Sequence, residues 1–594
     1  MAFLRRDSGW LPLRDYAAIG DGRTVALVGS DGAVDWLCLP DLDSPSVFAR
    51  LLDRERGGAF ELAPAEPHSV ERQYLRETNV LETTYRTARG VARTTDALTL
   101  PLSGLAPTRE LVRRIEGLAG TVVFSWAVWP RFGYGGDVTR IERRGSVPVA
   151  SSGGDAVAVA SWSAGDPESS DGRIEGTFAV DPGESALIVL AHAHEEPLVV
   201  PARVEVERRL DATIGFWREW ANARSYDGPW REQVIRSALA LKLLVFAPSG
   251  AIAGAATTSL PEAIGGNKNY DYRYSWIRDS AFTMHALVEL GCSRESQAFL
   301  SWLMHASQLT HPELRILYRL SGGDEADERE LALEGYRGSR PVRIGNAAAG
   351  QLQLDAYGDL LDAAWIVARD GLDREIGQRL AAIADYVCEI WTRKDSGIWE
   401  IRGETRHFTE GKMKCAIALE RACDLAERGL VPAKHRSRWQ AEAKKIHAFV
   451  ETRCWSAEQG SYVRAADSND LDASVLLAGQ SRYAPRGDER LSATIDAVRR
   501  ELGDGKLLYR YSGVREEEGA FVACSFWAAS ALARAGRVDE AATMVDELLS
   551  RASDVGLFAE QIDPATGDFL GNFPQGLSHL ALVNAAFAIE EARR

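Results

Sequence analysis

The chain has 594 residues, 45% hydrophobic and 26% charged, and its 85 acidic against 69 basic side chains leave a formal net charge of −16. This is the composition of a water-soluble globular protein with length for a sizeable core, and its acidity argues against nucleic acid or an anionic membrane as the main partner. No run approaches the roughly 18 apolar residues of a membrane span, and the first ten residues turn charged too soon for a secretory signal, so a cytoplasmic location is expected.

Residues 1–202 read as β: short apolar runs at 25–28, 121–124 and 186–190 alternate with turn signals such as Ser30-Asp31-Gly32 and Asp181-Pro182-Gly183, a spacing that predicts an antiparallel β-sandwich. His192 and His194, at period two within this part, are expected to be ordinary strand residues rather than metal ligands. A charged helical stretch opens at Arg203 and is broken by Ser225-Tyr226-Asp227-Gly228-Pro229, which makes 203–229 a helical linker.

From 230 to 594 the pattern is helical. Apolar residues at i, i+3 and i+4 mark helices near 230–246, 276–291, 293–308, 346–368, 373–394, 411–427, 433–452, 468–477, 490–502, 518–535, 537–551 and 576–592. Twelve helices in hairpins without a repeating sequence period favour a closed (α/α)6 toroid over an open solenoid. The loops at 247–275, 309–345, 395–410 and 553–575 are long and rich in aromatic and charged residues, and loops of that length in a compact domain usually carry function. The seven cysteines form no C-x-x-C pair, which argues against a disulfide framework or a zinc site. Phosphate-loop, dinucleotide-fingerprint, H-E-x-x-H and G-x-S-x-G motifs are all missing, so no cofactor and no metal are expected.

Three constellations carry chemistry. The stretch 269–279 packs four aromatic rings, two Arg and two Asp into eleven residues; rings offer apolar faces to a sugar, while Arg278 and Asp279 can donate to and accept from vicinal hydroxyls. In Gly397-Ile398-Trp399-Glu400-Ile401 a carboxyl group stands between apolar neighbours, which favour its protonated form, as a general acid requires. Glu560 sits among apolar residues in a third loop. Two glutamates on separate loops of one toroid mouth suit glycosidic hydrolysis, where one protonates the leaving oxygen and the other activates water or attacks the anomeric carbon. With 16 Trp against 5 Met, indole stacking on sugar faces is available, although most of these rings are expected to pack the core.

With Ile19-Gly20-Asp21-Gly22, Asp31-Gly32-Ala33-Val34-Asp35-Trp36, the 271–279 run, Gly345-Asn346, Gln351-Leu352-Gln353, Trp399-Glu400, Ala559-Glu560-Gln561 and Gly571-Asn572-Phe573-Pro574 in this order, the chain resembles glycoside hydrolase family 15 in its bacterial and archaeal form. The resemblance implies an N-terminal β-sandwich before an (α/α)6 catalytic domain, and exo-hydrolysis of α-glucosides with inversion, releasing β-glucose. It implies Glu400 as general acid and Glu560 as general base. Tyr272, Trp276, Arg278 and Asp279 become walls and clamps of a glucose pocket, with Trp399 beside the acid and Arg510 toward the pocket or the leaving group. Trp36 either belongs to a β-domain loop closing the site or is buried structure.

Inversion predicts carboxyl groups roughly 6.5–9.5 Å apart. The implied partner is a small-molecule α-glucoside: α-linked gluco-oligosaccharides first, α,α-trehalose as the alternative, with a non-catalytic carbohydrate-binding protein as a reading of another class. The chain departs from the family at 511–519, where Arg and Glu replace an Asp-Gly turn, at Ser275, which replaces a common Cys, and at the small Ala348-Ala349-Gly350. The leaving-group side is where these departures bear.

Overall fold

The computed structural model describes residues 6, 9–101, 109–368, 371–403, 405–480 and 483–594. The first part is two eight-stranded sheets with antiparallel ladders. One runs Tyr16–Gly20, Val25–Gly29, Val34–Cys38, Ala59–Pro64, Val122–Trp129, Arg173–Val180, Glu168–Ser170, with Ser46–Phe48 against Val34–Cys38. The other runs Arg140–Arg144, Val147–Ser152, Asp155–Trp162, Ser185–His194, Glu110–Gly120, Gly90–Leu98, Leu81–Thr87, His68–Tyr74. Val122–Trp129 buries Val122, Phe124, Trp126 and Val128 and leaves the alternate side chains more open, the period-two signature of a sheet with one face in a core. The three leading strands of the first sheet are buried at every position, because their outer face lies under the helical domain. His192 and His194 share one acceptor, Asp155 Oδ1, at 2.9 Å each.

Helix α1 (Arg203–Asn222) joins the two parts. Arg209 makes a two-pronged ion pair with Glu110 of the β-domain (2.8 and 2.6 Å), and Trp220 near the other end donates its indole N–H to Glu295.

The helical part then continues with α2 (Arg231–Leu244), α3 (Asp279–Glu289), α4 (Ser293–Ala306), α5 (Asp355–Val367), α6 (Arg374–Ile390), α7 (Thr409–Glu427), α8 (Arg436–Arg453), α9 (Leu477–Gln480), α10 (Glu489–Leu502), α11 (Val522–Arg534), α12 (Val538–Leu549) and α13 (Gly576–Arg593). Contacts run α3 to α5 to α7 to α9 to α11 to α13 and back to α3, closing an inner ring, and the even-numbered helices α2 to α12 lie outside it. The sequence pattern separates the layers. Outer α6 buries Leu380, Ile383, Ala384 and Val387 on one stripe, whereas inner α11 is buried from Val522 to Ala533 on all sides, as a helix with neighbours all round must be.

The one helix that fails is that expected at 468–477. Asp472 accepts from the Ser474 N–H as a cap, so helical structure starts only after it, as a 3-10 turn (Ala473–Leu476) and the four-residue α9. The expected 346–368 helix begins at Asp355, since Asn346 caps a separate 3-10 turn, Ala347–Gly350.

Candidate active site

The loops feeding the inner helices meet in a cavity of about 260 Å³. Its first wall is the 269–279 stretch. Arg273 points away from the cavity, fully buried, and pairs with Asp271 at 2.8 and 2.7 Å while donating to the Ser44 carbonyl of the β-domain at 2.9 Å. In an extended segment the neighbouring side chain takes the opposite side, and Tyr272 accordingly enters the cavity. Ser275–Trp276 pairs with Leu317–Tyr318, and α3 starts at Asp279, whose negative charge suits a helix N-terminus. Arg278 donates to Asp279 (3.2 Å) and to the carbonyl of Ile398 (2.6 Å), tying this wall to the loop that carries Glu400.

The cavity brings together Tyr272, Trp276, Arg278, Asp279, Trp399, Glu400, Arg510 and Glu560. Trp36 is not among the residues that line it. The Trp36 ring is fully buried and its indole N–H donates to the Ala256 carbonyl at 2.8 Å, so it braces the loop beneath the pocket from the β-domain; Trp36 is therefore buried structure and not a residue that closes the site or binds substrate.

Glu400 and Glu560 are each held by a different aromatic residue. Trp276 Nε1 donates to Glu400 Oε1 at 2.6 Å and Arg278 adds a second donor at 3.1 Å. Beside its apolar neighbours Trp399 and Ile401, Glu400 thus has two donors on one oxygen, and among the described residues Oε2 takes no hydrogen bond. Tyr272 donates its hydroxyl to Glu560 Oε1 at 2.8 Å, and the Asn572 N–H donates to Oε2 at 3.3 Å. Burial pushes the Glu560 carboxyl up to about 7, against the pull of Arg510 and these two donors. The Tyr272 and Trp276 rings meet edge to face with centroids 5.3 Å apart. Trp399 is fixed by its N–H to Asp472 (2.9 Å).

Arg510 is buried and saturated with charge. It pairs with Glu518 and with Glu262, the latter at 2.5 Å, and its guanidinium stands 5.4 Å from the Trp399 ring. Toward solvent the cavity is completed by Lys268, Tyr270, Arg402 and Glu517. Sequence reasoning picks out none of Glu262, Lys268 or Glu517 as site residues. Their one signal is position: the first two lie in the long 247–275 loop, and the third in the 511–519 stretch, where the resemblance leads one to expect an Asp-Gly turn. Among the described residues no group of three or more His, Cys, Asp or Glu is arranged to hold a metal, and no helix is long and apolar enough to cross a membrane.

Comparison with known proteins gives a family match over most of the chain. Residues 228–587 match the model of the glycosyl hydrolases family 15, and residues 9–211 match a trehalase-like N-terminal model. A trehalase of Mycolicibacterium smegmatis is 37% identical over 626 aligned positions, covering 98% of this chain and 92% of the relative. A trehalase of Thermoplasma volcanium is 33% identical, covering 98% and 94%. Among solved structures, a bacterial glucoamylase complexed with acarbose superposes with a TM-score of 0.74 at 14% identity over 99% of this chain and 95% of the other; at that identity the likeness speaks for the fold, a β-domain ahead of an (α/α)6 toroid.

Proposed function

The chain belongs to glycosyl hydrolase family 15, and from that premise we propose that this glycoside hydrolase cleaves α,α-trehalose with inversion, using Glu400 as general acid and Glu560 as general base. Glu400 gives its proton to the glycosidic oxygen as the C1–O bond breaks. Glu560 takes a proton from a water whose oxygen bonds C1 from the opposite face, and exchange with solvent returns both carboxyls to their starting states. Arg278 and Asp279 would hold hydroxyls of the glucose being attacked, and Tyr272, Trp276 and Trp399 would wall its apolar faces.

The observation that carries this reading is two glutamates in one 260 Å³ cavity, each with its own holder. A carboxyl poised at about 7 suits a base, because the strongest base still ionised near neutrality has its pKa there. Relatives named trehalases, 37% and 33% identical over more than nine-tenths of their length, support trehalose ahead of the gluco-oligosaccharides expected first.

The test is proton NMR of the first product formed by the purified protein. Inverting cleavage of trehalose releases one β-glucose and one α-glucose per turnover, whereas retention releases two α-anomers. Faster cleavage of maltose, isomaltose or kojibiose than of trehalose would return the assignment to a general α-glucosidase, and binding without turnover to a carbohydrate-binding protein.

A further inference from the structure

The cavity has a buried inner part and an open outer part. Glu560 and Trp276 are 1% and 4% exposed, while the side chains of Glu517 and Lys268 are 62% and 23% exposed. A sugar whose anomeric carbon lies between Glu400 and Glu560 fills the inner part, so the sugar it is bonded to extends past the outer residues.

Lys268 Nζ pairs with Glu517 at 2.9 Å and with Glu518 at 3.0 Å. These two carboxylates are in different states. Glu518 is buried and also engaged by Arg510, which Glu262 holds from the other side. Glu517 is open to solvent, and Lys268 is its partner among the described ion pairs. An ammonium group has three protons and a carboxylate four lone-pair directions, so after pairing both retain capacity facing the cavity. An adjacent donor and acceptor on one rim suit neighbouring hydroxyls of a sugar, which can accept from one and donate to the other.

We infer that Lys268 and Glu517 are specificity-determining residues that read the hydroxyls of the leaving sugar, with the Glu518–Arg510–Glu262 ion cluster as their fixed base. The inference rests on the reading of this pocket as a glycoside-hydrolase site and adds to it which residues select the leaving group.

The experiment compares two substrates in wild type, Lys268→Met and Glu517→Gln. Trehalose carries a leaving sugar, whereas α-D-glucopyranosyl fluoride carries a single leaving atom. In each variant the ratio of kcat/KM for trehalose to that for the fluoride should fall by about tenfold or more, the scale of one lost charge-assisted hydrogen bond, and Lys268→Arg should recover part of it. The Glu517 side chain is exposed and its ion pair contributes little to stability, so Glu517→Gln should keep a thermal midpoint near that of wild type, whereas Lys268→Met also takes a partner from the buried Glu518 and should lower it. An unchanged ratio in both variants, whatever happens to the separate rates, would overturn the inference. If wild type cleaves the fluoride and other α-glucosides but not trehalose, the trehalase reading fails, and the same ratio taken with the preferred disaccharide then decides the role of Lys268 and Glu517 by the same criterion.

Discussion

Glu400 and Glu560 line one cavity from two differently built loops. Glu400 occupies a left-handed backbone position (φ 55°), uncommon for a residue with a side chain and retained where surrounding structure over-determines it. Its restraints come from elsewhere: Trp276 and Arg278 hold the carboxylate, and Gln351 donates to its backbone carbonyl at 3.2 Å. Glu560 immediately precedes Gln561–Ile562, the middle strand of a three-stranded sheet with Ala520–Phe521 and Phe569–Leu570. Its carboxylate lies against Gly571 so closely that a Cβ there would come within 2.2 Å of Oε2. The lesson is a division of labour. In the proposed mechanism the base that must aim a water is fixed just before a buried strand, whereas the acid that must follow the leaving oxygen sits partly open on a loop.

The largest effect should come from breaking either side. Glu400→Gln and Glu560→Gln should each lower kcat on trehalose by about 10³-fold or more, since each removes proton transfer in the transition state, with circular dichroism unchanged. The two sides separate on α-D-glucopyranosyl fluoride, whose leaving atom needs little protonation: Glu400→Gln should lose less there than on trehalose, while Glu560→Gln should lose as much. Equal losses on both substrates in both variants would remove the distinction between acid and base.

Much of this was legible in the residues. Glu400 and Glu560 each belong to a short run of fixed order, and helical periodicity locates every inner helix except α9, where a capping Asp472 decides the boundary. The outer wall was not legible, because Glu262, Lys268 and Glu517 come from two loops far apart in sequence and meet through the direct Lys268–Glu517 pair and through Arg510 and Glu518. Long-range ion pairing leaves no local period to read. Trp36 misleads for a related reason: a family motif says that the ring matters, but only its hydrogen bond to Ala256 says that it matters from behind the wall.

A smaller effect sharpens the comparison through pH. As a base Glu560 must be ionised, and its carboxyl is pushed up to about 7 by burial. The acid limb of kcat/KM should therefore fall tenfold per unit as pH drops below about 7. Tyr272 donates to this carboxylate and favours its charged form, so in Tyr272→Phe the limb should move to higher pH, with a loss of about tenfold at pH 6 on top of any loss at the plateau. A limb that stays in place would detach the profile from Glu560.

The smallest expected effect is on stability. Because burial raises the Glu560 carboxyl from 4.5 to about 7, the folded chain binds that proton more tightly than the unfolded one. Its contribution is fully present below 4.5, declines as pH rises, and is lost above about 7, where the folded protein carries a buried charge. Over that interval the loss is about 3.5 kcal/mol at most, at about 1.4 kcal/mol per unit. Glutamine has no charge to bury, but its amide would face the Asn572 N–H where a carboxylate oxygen accepts, a cost that does not vary with pH. The Tm difference between Glu560→Gln and wild type should thus shift in favour of the variant by about 2 °C between pH 5 and pH 8 in a chain of this length, whatever its absolute value. A difference flat across that range would mean that Glu560 is already ionised at pH 5 and that burial imposes no charging cost on its carboxylate.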